Sequence, residues 1–392
     1  MRAIVRIGIN IAVALSLTVP IWAEQVPLPL QWVERPEMGE GVESLGLDEQ
    51  LWGTRQTPGD QQALLTAIDY SLTYLESSEA ATAYAQYSVP GITRDRVRRS
   101  LERFRELVVT SESPVDLQTS VLQEFELYQS IGADGNGTVS FTGYFQPTYL
   151  ASRTPTDEFR YPLYRLPPEL DRWSRPHPTR AELEGLDGLQ GSQGRLQGLE
   201  LVWLPDRLEA YLVHVQGSAQ LELTDSSTMA IGYAGRTDYP YVSLGRELVN
   251  DGKFRLEDLS LPVVIQYFRD HPAALDRYIP RNNRFVFFEE TTRLSAIGSL
   301  GIPVTAARSI ATDKSLMPPG ALALIQTQIP YPNANGDLIP QFVSRYVLDQ
   351  DTGGAIRGAG RVDIFMGTGD AAGDQAGRIN HSGQLYYLLL NE

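Results

Sequence analysis

Val139-Ser140-Phe141-Thr142-Gly143-Tyr144-Phe145 marks the place where the grammar of this 392-residue chain changes. Before it, apolar residues recur every three or four positions. From it onward they come in short β-rich runs broken by turn residues, such as Leu201 to Leu204, Tyr211 to Gln216 and Arg284 to Phe288, and strand-like runs resume from Val304 to the C-terminus. Many short strands with turn signals between them make a barrel or a sandwich.

Working outward toward the N-terminus, Leu64, Ile68, Leu72 and Leu75 keep helical spacing. So do Val97, Leu101, Phe104 and Val108 behind a Thr93 cap, and Leu117, Val121, Phe125 and Tyr128 behind Ser113-Pro114. Three amphipathic helices are expected. Among the strands, one helix is expected to open at Ser243 and stop at Gly252, and another to run from Ser260-Leu261-Pro262 toward Tyr278. Glu184 to Gly198 carries Gly at 185, 188, 191, 194 and 198 and reads as a flexible surface loop. Residues 24–58 are rich in Pro and Gly without a steady period, an extended lead-in. Ahead of them, Arg2 and Arg6 precede an uncharged stretch that ends at Ala23, so residues 1–23 read as an export signal, with an uncleaved anchor as the alternative. An exported protein of the periplasm, free or held at the outer membrane or wall, is the expected localisation.

The formal net charge of -15 excludes nucleic acid and anionic lipid as partners and leaves a neutral polymer such as a glycan open. With no cysteine, the chain has neither a disulfide nor a thiolate site for metal. His177, His214, His271 and His381 are scattered without the spacing of metal ligands, so no metal and no cofactor are expected. No G-x-S-x-G elbow exists around Ser192, and Gly367-x-Gly369-x-x-Ala372 is followed by no helix pattern, which argues against a dinucleotide fingerprint.

The C-terminal tail instead gathers Asp349, Asp351, Asp363, Asp370 and Asp374 among Gly, Thr and aromatic residues, a composition suited to glycosidic chemistry. Asp370 and Asp374 sit at Gly breaks and read as turn residues. Asp363 lies inside the run Arg361-Val362-Asp363-Ile364-Phe365, where alternation puts Arg361, Asp363 and Phe365 on one face of a strand and Val362 and Ile364 on the other.

Phe141-Thr142-Gly143-Tyr144-Phe145-Gln146-Pro147, Tyr161-Pro162-Leu163-Tyr164-Arg165 and Val215-Gln216-Gly217-Ser218 resemble the membrane-bound lytic murein transglycosylase A family. Ala311-Thr312-Asp313, Asp351-Thr352-Gly353-Gly354 and Arg361-Val362-Asp363-Ile364-Phe365 resemble its three-aspartate module. The resemblance implies a mainly β protein with N-terminal helices. Residues 59–147 and 289–392 would form a double-psi β-barrel domain, with a second β-barrel domain, 148–288, inserted in it and a groove between the two. It further implies Asp363 as the sole catalytic acid and base, with Asp351 and Asp313 as supporting acids and Thr142 close to the catalytic carboxyl. Tyr144, Gln216, Gly217, Ser218 and Tyr233 are candidates for binding substrate; for Tyr144, Tyr149, Tyr233 and Tyr239 core packing is an equal reading. Two departures stand out: the lipid-acceptor cysteine is absent, and Ala219 stands where the family tends to have Gly.

The implied reaction cuts the β-1,4 bond between N-acetylmuramic acid and N-acetylglucosamine in peptidoglycan strands without water, leaving a 1,6-anhydro ring, and the implied enzyme acts as a monomer. Two other readings stay open. One is a two-carboxylate peptidoglycan hydrolase, with Asp351 as the second group; the other is a noncatalytic wall-binding module.

Overall fold

The structure is a computed structural model that describes residues 28–34, 44–53, 58–292 and 294–392; the expected signal, 1–23, and much of the lead-in lie outside the described residues.

A short strand, β1 (Leu30–Val33), precedes four helices: α1 (Gln61–Leu75), α2 (Ser78–Ala85), α3 (Arg94–Thr110) and α4 (Pro114–Glu124). Ser77, Thr93 and Ser113 cap the last three, each side chain accepting from the backbone amide three residues on. The sequence reading omitted α2 and carried α4 too far. Phe125 and Tyr128 belong to β2 (Phe125–Ser130), and because both are buried, apolar spacing alone does not separate helix from strand there. Pairing with the C-terminal strand decides it.

The stretch that opened the β-rich region is β3 (Val139–Gln146). The chain then leaves for a second body of structure: β4 (Thr148–Ala151), β5 (Tyr161–Tyr164), α5 (Arg180–Glu184), β6 (Glu200–Leu204), α6 (Arg207–Gln216), β7 (Ser218–Leu223), β8 (Thr228–Arg236), α7 (Leu244–Asn250), α8 (Leu261–Asp270), α9 (Leu275–Tyr278) and β9 (Val286–Thr291). Here β4, β7, β8 and β9 form one sheet in that order and β5 pairs with β6. Single bridges from Ser152 to Trp203 and from Arg165 to Phe288 join the two pieces at both edges, so the strands run round a closed ring. Its interior holds Leu163, Val202, Leu221 and Phe288.

Four expectations need correction in this body. Tyr211 to Gln216 is the second half of helix α6, not a strand: Asp206 caps the start by accepting from the Glu209 amide at 2.9 Å, and Gly217, at φ 81°, closes the end in the left-handed conformation. A six-residue apolar run carries too little period to show this. The glycine-rich segment after Glu184 is packed, since Leu183 and Leu196 are buried against Tyr164, Phe285 and Phe287. The helix read toward Tyr278 breaks at His271, where Pro272 disfavours helical backbone in the residue before it. The strand read from Arg284 begins two residues later, at Val286.

The chain returns as β10 (Ser309–Ala311), β11 (Leu322–Pro332), β12 (Leu338–Asp351), β13 (Arg361–Thr368), α10 (Asp370–Ala376) and β14 (Asn380–Leu390). The seven-residue α10 lies where no helix was expected, and Asp370 occupies its first turn. Strands β3, β13, β10, β12, β11 and β14 pair in that order and β14 pairs back onto β3, which closes a six-stranded barrel. Pairs β3–β13 and β10–β12 are parallel and the others antiparallel, a mixed pattern compatible with a double-psi crossing. Val362 and Ile364 fill the barrel core, as alternation required, which turns Arg361 and Asp363 outward to the side facing the second ring.

Candidate active site

A groove of about 840 Å³ runs between the barrel and the second ring, and Asp363 lies in its wall. The strand ladder fixes the neighbours of this aspartate: Thr142 of β3 stands beside it in parallel register and Ala311 of β10 beside it in antiparallel register. The Thr142 hydroxyl donates to Asp363 Oδ1. Arg361, two residues back on the same face, donates from Nε to the same oxygen at 3.0 Å and from Nη2 to Thr142 Oγ1 at 2.9 Å. Oδ1 is thus held from two sides, while among the described residues Oδ2 accepts no hydrogen bond; Asp363 lines the groove.

The other two aspartates of the module differ. Asp351 accepts from Tyr144 Oη at 2.8 Å on Oδ2, and from the Ser299 and Thr352 amides at 2.8 Å each on Oδ1. Withdrawal from water raises its carboxyl above the ordinary carboxylate value despite these donors. Asp313 accepts from the Ser315 hydroxyl at 2.7 Å and from the Gly358 amide at 2.8 Å, so it pins the loop between β12 and β13. Burial works against its charge, yet these donors hold its carboxyl below the ordinary value. Asp351 lines the groove; Asp313 does not. A fourth, Asp349, is fully buried and bound by Lys314, Thr312 and Tyr387, which makes it part of the barrel's framework.

Of the candidate binding residues, Thr142 and Tyr144 come from β3, Gln216 and Gly217 from the end of α6, and Ser218 and Tyr233 from β7 and β8; all line the groove. Their situations are unequal. Tyr144 spends its hydroxyl on Asp351 and packs its ring on Phe365 at 5.2 Å, and Gln216 Oε1 accepts from the Phe145 amide at 3.3 Å, tying the second ring to the barrel. Tyr233 is the exposed ring, at 52 % of its surface. Tyr149 and Tyr239 lie outside the lining: the first packs against the core of the second ring and the second donates to the His177 carbonyl at 2.6 Å.

Sequence reasoning assigned no role to Arg361, although its place two residues before Asp363 put it on the right face. It also missed Arg284, because that residue and its contact Gly354 lie far apart in the chain. A Cβ on Gly354 would come 1.6 Å from Arg284 Nη1, so a side chain there would push the guanidinium out of its present place.

The arrangement is an aspartate with one oxygen held by oriented donors and the other without a hydrogen bond among the described residues, in the wall of a groove of about 840 Å³. Family models agree with the two structural parts: the MltA specific insert domain matches residues 140–289 and the 3D domain residues 308–389. The chain is 33 % identical over 266 residues to membrane-bound lytic murein transglycosylase A of Escherichia coli K12, which covers 67 % of this chain and 69 % of that one. It is 32 % identical over 293 residues to the protein of that name from Vibrio cholerae, covering 74 % and 75 %. Among solved structures, E. coli MltA with bound chitohexaose superposes with a TM-score of 0.69 at 25 % identity, over 93 % of this chain and 95 % of that chain. The membrane-bound lytic murein transglycosylase of Agrobacterium tumefaciens gives 0.66 at 25 % identity, over 84 % and 93 %. On its two matched models, its identity to curated relatives and its six-stranded barrel with an inserted ring, the chain belongs to the membrane-bound lytic murein transglycosylase A family.

Proposed function

We propose that this enzyme cleaves the β-1,4 bond between N-acetylmuramic acid and N-acetylglucosamine in peptidoglycan, with Asp363 as its only acid and base, and that the muramyl product closes to a 1,6-anhydro ring. The observation that carries the reading is the unequal state of the two groove aspartates, Asp351 and Asp363. Asp351 has both oxygens engaged by Tyr144 and two backbone amides, whereas Asp363 keeps Oδ2 free. A hydrolase that used Asp351 as its second carboxylate would need that group free to attack C1 or to activate water.

With Thr142 and Arg361 donating to Oδ1, a proton on Asp363 resides on Oδ2, directed at the groove. In the first half of the reaction it passes to the glycosidic oxygen, that C–O bond breaks, and the sugar becomes oxocarbenium-like. The Arg361 bond strengthens as the carboxylate forms, since a charge-assisted hydrogen bond exceeds a neutral one. In the second half the carboxylate takes the proton of the C6 hydroxyl while that oxygen closes on C1. The proton count returns to its start, and no water enters.

A solved relative of this architecture, E. coli MltA, carries bound chitohexaose, a neutral six-sugar chain, which supports a glycan as the substrate class. No helix among the described residues is long and apolar enough to cross a membrane, and the curated relatives are named membrane-bound; we place the enzyme in the cell envelope.

Purified murein sacculi incubated with the protein should release muropeptides of the anhydro mass, 18 Da below the hydrolytic product. Asp363→Asn should cut release by more than about a thousandfold with an unchanged melting temperature, because the amide delivers no proton and general acid and base steps are each worth about 10² to 10⁴. Water-added products would replace this reading with the hydrolase, and intact sacculi with bound protein would replace it with the wall-binding module.

A further inference from the structure

Besides Arg361, the groove holds three arginines, of which only one has an acid within 4 Å among the described residues, and that one at 3.9 Å. Arg236 at the end of β8, Arg284 just before β9 and Arg357 in the loop between β12 and β13 all line it. Arg284 is only 8 % exposed, and its guanidinium is locked by neutral groups. Nε donates to the Tyr239 carbonyl at 2.9 Å, Nη2 donates to the Gly354 carbonyl at 3.4 Å, and the Tyr241 ring lies 6.0 Å away. Arg236 donates to the Thr237 carbonyl at 3.3 Å, and the exposed Arg357 reaches the Asp313 carboxyl only at 3.9 Å. Burial, with the like charges of Arg236 and Arg357 added, pushes Arg284 down to about 10, so it stays a cation at neutral pH at a cost.

The carboxylates of the same lining do not relieve that cost. Asp363 takes Arg361, Asp351 takes Tyr144 and two amides, and Glu289 makes no hydrogen bond or ion pair to the three arginines among the described residues. A buried guanidinium repelled by its neighbours and held by the Tyr239 and Gly354 carbonyls is a preorganised anion site. It sits in a protein whose net charge is -15, where stray cations on a glycan surface have no general purpose.

We propose that Arg236, Arg284 and Arg357 form an anion subsite that takes a carboxylate carried on the lactyl arm of a muramyl residue, either the lactyl carboxylate itself or a carboxylate of the peptide amide-linked to it. The inference rests on the reading of murein as substrate and deepens it. Muramyl and glucosaminyl residues alternate along the strand and differ only by that arm. A cation that grips the arm fixes which of the two sugars lies at Asp363 and therefore which of the two alternating bonds is cut. A neutral chitooligosaccharide lacks that arm and offers the arginines no carboxylate.

The test is binding in the turnover-free Asp363→Asn protein, measured by calorimetry at low salt. The ligands are chitohexaose, peptide-free murein oligosaccharide of the same length with free lactyl carboxylates, and the peptide-bearing form. Arg236→Gln and Arg357→Gln are compared with the parent, because Arg284→Gln disturbs the packing at Gly354; melting temperature is followed throughout. Each substitution should weaken muramyl ligands roughly tenfold, the scale of one lost charge-assisted hydrogen bond, and leave chitohexaose within about twofold. Weakening with peptide-free strands assigns the lactyl carboxylate, and weakening confined to peptide-bearing strands assigns the peptide; either supports the subsite. Equal weakening of chitohexaose, or no weakening of any ligand, overturns it. Failure of the proposed cleavage chemistry would show in the products from sacculi and would leave this ligand ratio untouched.

Discussion

At the scale of single residues, the catalytic proposal depends on where the proton of Asp363 sits, and Thr142 decides that with one hydroxyl. Thr142→Val keeps the shape and removes the donor to Oδ1. It should lower kcat by about ten- to a hundredfold with KM nearly unchanged, a loss of a transition-state contact rather than of substrate binding. Steady-state rates on soluble murein strands give the split; a rise in KM at constant kcat would move Thr142 into binding alone. Asp351 makes a second comparison. Because its carboxyl is raised, folding favours its protonated form, so its contribution to stability is full at about pH 4 and below and is lost as pH rises through the raised value. The melting temperature of wild type relative to Asp351→Asn should therefore fall between pH 4 and neutrality. A gap that grows with pH would mean that its donors outweigh burial. Asp363 was legible in the sequence because an aspartate inside a strand-like run has no turn to explain it. Tyr144 was legible as a groove residue but not as the donor to Asp351, since that partner comes from a strand 207 residues away.

Elements with strict period were legible, and short ones were not. Helices α1 and α3 followed from apolar spacing, and β13 from alternation; helix α6 read as a strand because its apolar half is too short to show a period. That misreading hid a titrating group. Glu209 lies in the first turn of α6, and burial, followed by the charge of Asp206, raises its carboxyl to about 7, with Asp370 of α10 adding to the shift and Arg269 opposing it. A raised carboxyl contributes stability below about pH 4.3, the ordinary Glu value, and loses it as pH climbs to the folded value. Glu209→Gln should therefore match wild type near pH 4 and exceed it at pH 8 by on the order of 1 kcal/mol, allowing for the water that reaches this half-buried group. Thermal melts at the two pH values test it, and equal gaps at both would show that neither burial nor the nearby acids raise the Glu209 carboxyl.

On the scale of the molecule, a buried ionic cluster fastens the segment before α1 to the barrel. Arg308 and Asp48 are both fully buried and meet at 2.5 Å. Arg308 Nε also donates to Asp60 Oδ2 at 3.0 Å, Arg345 pairs with the same carboxyl, and Asp48 accepts the Tyr346 amide at 3.0 Å. The cluster was not legible in the sequence, because its members lie up to 298 residues apart and only the closed barrel brings them together. Replacing such a cluster by apolar side chains can be nearly neutral, but removing one partner strands a charge with no water to solvate it. Burial works against Asp60, yet the two arginines hold its carboxyl below the ordinary value, so its share of stability is present above about pH 4 and lost as pH falls through the depressed value. Asp48→Leu takes from Arg308 its fully buried acid and leaves the partly exposed Asp60, shared with Arg345, to answer two arginines; it should cost about 3 kcal/mol. The exposed pair Arg105–Asp69, at 2.7 Å, is the control, and Asp69→Asn should cost under about 1 kcal/mol. Urea unfolding of both variants gives the comparison. A midpoint for Asp48→Leu well below wild type at unchanged slope locates the loss in the native clamp. Equal midpoints for the two variants would mean that water reaches Arg308 when its partner is gone, and that the N-terminal segment rests on the barrel without being fastened to it.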